Sequence, residues 1–446
     1  MAGGNWTEQN KIRPGVYINF TSTQNLGLSI GRRGTVAICE PMSWGPVGTV
    51  MTVPINTDTT PYCGYGITTE QGRFLNEIFK GTDRTDPPTQ VLLYRPAADS
   101  SAEATATTGS LTVTALYPGV RGNDITIVIE EDADQEDTFT VSTVVDGLVV
   151  DTQTGATVSD LQANDWVEFS GTGALTATAG TPLTGGLDGT VQTAAYSAFL
   201  AALEPYAFDV LIYDGTDQTT AAAMVNFVER IAAADGKYSQ LVAANLTTPP
   251  DSRFVIHVVS GVTLSDGATL TAPQTCWWVG GATAGAQYNE SLTYARYPDA
   301  VGVAPAMTNS DIETAEVAGK MVLFEDNGAV KIDWDINSLT TYTLDISKAY
   351  HKNRVIRVCN TIANDLYRQF SDSFIGVVDN NEEGRALFKS VIVKYLMDMQ
   401  AGGGIQNFEA DDVEVLPGND IDSIVINIAI QPVDAAEKLY ITITVD

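Results

Sequence analysis

The sequence has few of the residues on which enzyme sites depend. It contains only two histidines, His257 and His351, and no G-x-S-x-G motif. A Ser-His-Asp hydrolase would have to use one of these two histidines as its base, which argues against that class of enzyme. His257 lies within the apolar run RFVIHVVS, which is typical of a packed strand residue. The four cysteines lie far apart without a C-x-x-C pair, which favours isolated thiols over disulfides or a zinc site. We therefore predict no catalytic residue and no cofactor.

Positive charge and long apolar runs are also scarce. The chain has 24 Lys and Arg against 55 Asp and Glu, and its net charge of −31 repels nucleic acid phosphates and anionic lipids. No run approaches the roughly 18 consecutive apolar residues of a membrane-spanning helix, and the N-terminus lacks a signal-peptide apolar segment. We expect no nucleic acid partner, no membrane insertion, and synthesis in a cytoplasm.

Metal and nucleotide motifs are incomplete. Asp333, Asp335 and Asn337 match the D-x-D-x-N start of a calcium loop. However, Ser338 replaces the required glycine, and Leu344 stands where a bidentate glutamate belongs. The glycine-rich run GGATAGA at 280–286 lacks the Lys-Ser/Thr of a phosphate-binding loop. We predict no metal ligand and no bound nucleotide.

The composition changes along the chain in a way that indicates several domains. Its 446 residues suggest about three domains. Residues 97–190 contain fifteen acids and one base in short alternating runs separated by turn residues, which predicts a β-sandwich or small barrel. On both sides of this insert, strands alternate with helices, which favours a largely parallel sheet covered by helices.

The predicted fold is therefore a multi-domain α/β (α+β) architecture. It has an N-terminal arm at 1–22, core segments at 23–96 and 189–330, an inserted acidic β-sandwich at 97–188, and a C-terminal α+β domain at 331–446. Within the core we assign the run from Thr69 to Lys80 to a helix that ends at Gly81. We place Trp277 and Trp278 in an apolar strand.

Both chain ends have the alternation of a strand. The alternating apolar positions are Val16, Ile18 and Phe20 near the start, Ile424, Ile426, Ile428 and Ile430 in one late run, and Leu439, Ile441, Ile443 and Val445 in the last. A terminal strand presents an exposed edge, so each must pair with something. The pattern leaves two alternatives open, because the partner could lie in the same subunit or in another copy.

A series of motifs in fixed order resembles the phage tail sheath family along nearly the whole chain. The motifs are RPGVYI at 13–18, WGP at 44–46, LTGGLDG at 183–189, GGATAGA at 280–286, INSLTTY at 336–342, RVIRVCNTI at 354–362 and IQPVDAAEKLYITITV at 430–445. Each short motif alone is weak. Their order and spacing, with the acidic insert between them, support the resemblance.

The resemblance implies a subtilisin-like α/β core without protease activity, a peripheral β-sandwich, and a C-terminal domain that faces an inner tail tube. It implies that the terminal arms are donated to neighbouring subunits. The donated strands would be residues 16–20, with Val16, Tyr17, Ile18 and Phe20, and residues 439–445, and the receiving sheet would include residues 424–430.

The resemblance also implies a structural function. Such a subunit polymerises around the tail tube and contracts to drive the tube through a target envelope, using energy stored in the lattice. Its partners would be further copies of itself, the tube protein, and the baseplate and tail terminator proteins. It would be found in the tail of a virion or phage-tail-like particle, assembled in the bacterial host cytoplasm.

Two further alternatives remain open from the residues. Basic residues of the C-terminal region could pair with acidic patches on a neighbour or the tube, or could lie on ordinary solvated helix faces; they are Lys352, Arg354, Arg357, Arg385 and Lys389. The second alternative concerns the whole protein, which could be an acidic surface or adhesin protein that binds glycans or receptors through the β insert.

Overall fold

The computed structural model describes the backbone of Ala2–Gly4 and Gly15–Tyr17, and then residues 28–445 except 133, 134, 136 and 249. Its centre is a seven-stranded sheet. In spatial order the strands are Lys320–Met321, Val255–Val258, Gln240–Ala244, Val210–Tyr213, Thr35–Cys39, Gln90–Tyr94 and Val50–Pro54. All neighbours are parallel except Val50–Pro54, which runs antiparallel at one edge. This architecture confirms the predicted α/β core.

Helices cover both faces of this sheet. Val36 and Ile38 point to one apolar cluster, while Ala37 and Cys39 of the same strand point to another, because successive side chains alternate across a sheet. The helices Thr60–Cys63, Arg73–Ile78 and Ala272–Gly285 pack on the first face, and Thr193–Leu203 and Gln218–Ala234 pack on the second. Burial on both faces explains why these strands are continuously apolar in sequence.

Smaller elements surround the core. They are the strands Ala98–Asp99 with Thr190–Val191, the sheet of Gly261–Leu264, Thr269–Leu270 and Ala300–Ala304, the hairpin Leu323–Asp326 and Ala329–Ile332, and the helix Asn309–Val317. Short 3-10 helices occupy Val120–Asp124, Val158–Asp160, Lys348–His351 and Ala410–Asp412. Among the described residues, no helix combines the length and apolar character needed to cross a membrane.

The tryptophan pair lies in a helix, so its assignment to a strand was wrong. The helix Ala272–Gly285 begins with a capping box, in which the Thr271 N–H donates to Gln274 Oε1 at 3.0 Å and the Gln274 N–H donates to Thr271 Oγ1 at 3.5 Å. Pro273 occupies the first turn. The helix is buried on nearly every side, and an apolar run of that kind has the same composition as a buried strand.

The helix predicted over residues 69–80 is shorter in the structure. It spans Arg73–Ile78, and turns occupy most of the preceding residues. Gly81 has φ +67°, a left-handed conformation that favours glycine, and it ends the segment as predicted.

The insert is a β-sandwich, as predicted. One sheet contains Leu148–Gly155, Phe139–Val145, Ile125–Glu131 and Thr178–Pro182, and the other contains Val167–Gly171, Leu111–Ala115 and Thr105–Thr108. Arg121, the one base of the 97–190 segment, is buried. It pairs with Asp124 and Asp146 and donates to the Gly64 carbonyl at 2.9 Å. This residue therefore joins the insert to the core.

The C-terminal region packs two small two-stranded sheets against two long helices. The helices are Asn353–Ser373 and Glu382–Ala401, and the strands are Val413–Pro417 with Ile424–Ile428, and Ile405–Gln406 with Gln431–Pro432. Phe388, Ile392 and Met399 lie in their shared apolar core. The predicted α+β character of this region is confirmed, whereas the boundaries of the five segments stay predictions.

The helix Ala272–Gly285 approaches the helix Arg73–Ile78 so closely that one position of their contact requires glycine. A Cβ at Gly281 would lie 2.0 Å from the Ile78 carbonyl oxygen. We expect Gly281→Ala to lower the free energy of unfolding by about 1–3 kcal/mol, since the two helices must separate. Chemical denaturation measures this change. Gly66→Ala is the control, because a Cβ there meets nothing within 4 Å; equal stability loss in both variants would contradict the packing argument.

Candidate subunit interface

The C-terminal hairpin, formed by Val413–Pro417 and Ile424–Ile428, has one apolar face. Its strands are antiparallel, with Val415 opposite Ile426. The apolar cluster of the two long helices includes Ile424, Ile426 and Ile428 among its half-buried members. Val425, between them, is exposed. The prediction that these three isoleucines share a face is confirmed, and their role in subunit contact stays a prediction.

The hairpin has open edges. It is a two-stranded sheet, and within the part of the chain that the structure describes no third strand pairs with it. A strand edge presents unpaired N–H and C=O groups that can accept an added strand from another chain. The hairpin therefore has the backbone geometry of a strand acceptor.

Residues 439–445, which we call the free strand, form no regular secondary structure and pair with no other described segment. Leu439 is 80% exposed, Ile441 78%, Ile443 81% and Val445 89%. Within the single chain, the intramolecular alternative for this segment is therefore not adopted. A run of four solvent-exposed apolar side chains on alternate positions is typical of a surface that another molecule covers.

The N-terminal arm pairs with itself in the described part of the chain. The backbone of Gly15–Tyr17 runs parallel to Ala2–Gly4, and Val16 lies opposite Gly3. The backbones of Val16 and Tyr17 therefore belong to a short strand, as predicted. Ile18 and Phe20 lie outside the described residues.

The nearly buried carboxylate of Glu437 holds the segment that precedes the free strand. Glu437 Oε1 accepts from Thr293 Oγ1 at 2.7 Å, and Oε2 accepts from Trp334 Nε1 at 2.6 Å and from Lys352 Nζ. We call these four residues the Glu437 anchor. Sequence reasoning missed Glu437, because its partners Thr293, Trp334 and Lys352 lie 85 to 144 residues away along the chain.

Comparisons with known proteins agree with this architecture. Family models match in order: the phage tail sheath protein beta-sandwich domain at residues 98–188, the central domain at 189–338, and the phage tail sheath C-terminal domain at 345–446. The crystal structure of a sheath tail protein from Desulfitobacterium hafniense is 43% identical, with a TM-score of 0.85 over 96% of this chain and 99% of that one. The chain belongs to the phage tail sheath protein family.

Other sheath relatives extend the agreement. A sheath tail protein from Listeria innocua is 32% identical with a TM-score of 0.79, over 93% of this chain and 95% of that one. Phage-like element PBSX protein XkdK of Bacillus subtilis is 34% identical over the full length of both chains. The anti-feeding prophage helical sheath in its contracted state, 13% identical with a TM-score of 0.58 over 97% of this chain and 99% of that one, shares the fold. Because the family is structural, this sheath protein is not an enzyme, as predicted.

Two of the predicted interface cations of this sheath protein are buried within their own chain. Arg357 is fully buried and donates to Asp335 and to the Glu290 carbonyl at 2.9 Å. Burial opposes ionisation of Asp335. The charge of Arg357, together with hydrogen bonds from Arg357, Asn353 and the Leu292 N–H, nevertheless holds the pKa of the Asp335 carboxyl below its ordinary value. Lys352 is buried against Glu437. Neither alternative, contact with a partner or a solvated helix face, describes Arg357 and Lys352, because both side chains are buried against groups of their own chain. Sequence spacing does not show which helix face is covered.

The other three basic residues remain available. Arg354 donates to the Gly403 carbonyl at 3.4 Å, and Arg385 donates to Asn380 Oδ1 at 3.0 Å. Lys389 lies 3.9 Å from Asp411, and its side chain is 39% exposed. Contact of Arg354, Arg385 and Lys389 with a neighbour or the tube stays a prediction.

The buried ion pair yields a stability prediction. We expect Arg357→Ala to lower the free energy of unfolding by about 3–5 kcal/mol, because it leaves the Asp335 carboxylate buried without a counter-charge. Urea denaturation followed by fluorescence measures the change. Arg230→Ala is the control, since the Arg230 pair with Glu204 is largely solvated and should contribute little to stability. Similar losses in both variants would argue against a structural role for Arg357.

His257 of this sheath protein is a packed strand residue, as predicted. Its Nε2 accepts from the Leu246 N–H at 3.0 Å within the buried strand Val255–Val258. Burial, with a smaller effect from Lys320, lowers the pKa of the imidazole to about 4. The neutral ring is thus part of the folded structure.

The lowered pKa of His257 predicts a pH dependence of stability. The unfolded histidine takes up a proton near pH 6.5, whereas the folded one resists it until about pH 4. Stability from this group is therefore complete above pH 6.5 and decreases as the pH falls toward 4, by about 3 kcal/mol. The measurement is the free energy of unfolding of the native chain and of His257→Gln, by heat or urea, across this pH range. The carboxylates contribute equally to both proteins, so the difference between the two curves reports His257 alone. Parallel pH profiles for the two proteins would contradict this assignment.

Proposed function

We propose that this chain is the repeating subunit of a contractile tail sheath, which polymerises around a tail tube and contracts to drive the tube through a target envelope. The supporting observation is that one chain contains both an unpaired segment with exposed apolar side chains on alternate positions, residues 439–445, and an open two-stranded hairpin. The fold likeness to a sheath solved in its contracted helical state adds support.

The free strand and the hairpin are complementary in pattern. Leu439, Ile441, Ile443 and Val445 occupy alternate positions, as do the isoleucines on the inner face of the strand Ile424–Ile428. A strand added to the hairpin edge lies about 4.8 Å from its neighbour, and its apolar side chains then extend the same face. The donor and the acceptor belong to different copies, so each subunit gives one strand and receives another.

The energetics favour a lattice over a dimer. Burying each of the four apolar side chains contributes about 1.5–3 kcal/mol, and ordering each residue of the free strand costs about 1–2 kcal/mol. The two totals are of similar size, so one docking event is weak. In a lattice every further link is effectively intramolecular, and weak links together become strong.

The N-terminal arm would provide a second link through Val16, Tyr17, Ile18 and Phe20. Two links of this kind allow the folded bodies to rotate while the subunits remain connected. We infer that the contraction energy lies in contacts between these bodies, which are improved by a rigid-body rearrangement. The partners are other copies, the tube protein, and the baseplate and terminator proteins, in a virion tail or tail-like particle assembled in the bacterial cytoplasm.

Removing the free strand tests this function. A chain that ends at Lys438, and likewise a chain that lacks residues 1–20, should keep the melting temperature of the full protein but form no tubes. The reason is that the apolar side chains of residues 439–445 are exposed in their own subunit, and that Gly15–Tyr17 pairs with Ala2–Gly4 of the same removed segment. Negative-stain microscopy and sedimentation at high protein concentration give the result.

Matched substitutions within the free strand control for nonspecific effects of truncation. Ile441→Thr with Ile443→Thr removes apolar surface from one face, while Thr442→Ser with Thr444→Ser changes the other face slightly. The first pair should abolish tubes and the second should keep them. Normal tubes from the truncated chain or from the isoleucine variant would overturn the donated-strand mechanism.

A further inference from the structure

Exposure changes abruptly at one point near the end of the chain. The Glu437 side chain is 11% exposed, whereas Leu439, two residues later, is 80% exposed. The preceding residues are attached as well, because Gln431–Pro432 pairs with Ile405–Gln406 and the Val433 N–H donates to the Gly404 carbonyl at 2.9 Å. The segment thus divides into an attached root, residues 433–438, and the free strand, residues 439–445.

The groups that bind Glu437 come from separate parts of the structure. Thr293 lies in the loop after the helix Ala272–Gly285, Trp334 follows the strand Ala329–Ile332, and Lys352 precedes the helix Asn353–Ser373. The root is therefore bound to the α/β core and to the start of the C-terminal helices at the same point. Force applied to the free strand reaches both.

Core residues, and not only the root, hold the Thr293 hydroxyl of the anchor in place. Thr293 Oγ1 accepts from the Asp335 N–H at 3.0 Å while it donates to Glu437. Asp335 in turn accepts from the Leu292 N–H at 2.9 Å and pairs with the fully buried Arg357. A hydroxyl fixed by a buried ion pair loses little freedom when it binds the carboxylate.

The charge of Lys352 makes the attachment specific. Its side chain is 9% exposed, and its ammonium contacts Glu437 and lies 3.7 Å from Asp434, both in the root. The ammonium also lies 4.7 Å from the centre of the Trp334 ring, and Lys438 lies 5.1 Å from it. A buried ammonium without a carboxylate partner is costly, so release of the root is disfavoured.

We propose that the Glu437 anchor fixes the length of the C-terminal link between neighbouring subunits, an inference that rests on the proposed function. With the anchor closed, the link consists of the free strand alone, which spans at most about 23 Å when extended. An open anchor, once the Val433 bond to Gly404 is also lost, would add the six residues 433–438 to the link and lengthen it by about 20 Å. The anchor therefore determines how far two linked bodies can separate.

The experiment uses the full chain with Glu437→Ala, Lys352→Met and the control Glu325→Gln, an exposed acid on the hairpin Leu323–Asp326. Hydrogen exchange on the unassembled protein measures whether the root is attached. We expect exchange of the Val433 amide, which donates to the Gly404 carbonyl, to rise at least tenfold in Glu437→Ala, with the helix Asn353–Ser373 unchanged. Lys352→Met removes the buried charge and keeps the bonds of Glu437 to Thr293 and Trp334. If Glu437→Ala folds poorly, this second variant still tests the anchor.

Cryo-electron microscopy of assembled tubes then measures the spacing between subunits. We expect the anchor variants to give a variable axial rise, and the control to give the uniform rise of the native protein. Unchanged exchange in the root, or a native and uniform rise in both anchor variants, would overturn the proposal. If the chain ending at Lys438 still forms tubes, the proposed function fails, while the exchange measurement still decides whether Glu437 holds the root.

Discussion

Arg357 lies where the core and the C-terminal region meet, and the arrangement of both depends on its contacts. It belongs to the helix Asn353–Ser373, yet it donates to the Glu290 carbonyl of a core loop and pairs with Asp335 at the junction. Asn353, at the start of the same helix, bridges from Asp335 to Gln240 of the central sheet, at 3.0 Å on each side. A fully buried charge tolerates little displacement, so this network fixes the helix relative to the sheet.

The parts of the fold that follow local rules could be predicted from the sequence. The strand Val210–Tyr213 and the helix Glu382–Ala401, for example, arise from short-range apolar patterns and from turn residues such as Gly402. The helix Ala272–Gly285 could not be recognised by periodicity, because it is apolar on nearly every side. Its capping box, Thr271 with Gln274, was the local signal that would have decided the assignment.

The candidate interface, too, could be predicted from the sequence only in part. The alternation in residues 439–445 is visible in the sequence, and so is the shared face of Ile424, Ile426 and Ile428. The burial of Lys352 and Arg357 is not, because their partners lie far away in sequence: Glu437 is 85 residues from Lys352, and Asp335 is 22 from Arg357. Long-range pairing of charges leaves no periodic trace in the sequence. A residue such as Glu437 becomes meaningful only when the chain has folded around it.

The contacts between the β insert and the core have a mechanical consequence. Trp44, from the first core segment, is buried in the apolar centre of the sandwich, 4.9 Å from the ring of Trp166 and 5.3 Å from that of Tyr117. Arg95 adds hydrogen bonds to the Gly45 and Pro118 carbonyls at 2.8 and 2.6 Å. A large aromatic side chain shared between two domains resists hinge bending, since any rotation would open a void around it. The sandwich and the core therefore move as one stiff body, and any rotation of the core displaces the far end of the sandwich by more than it displaces the core itself.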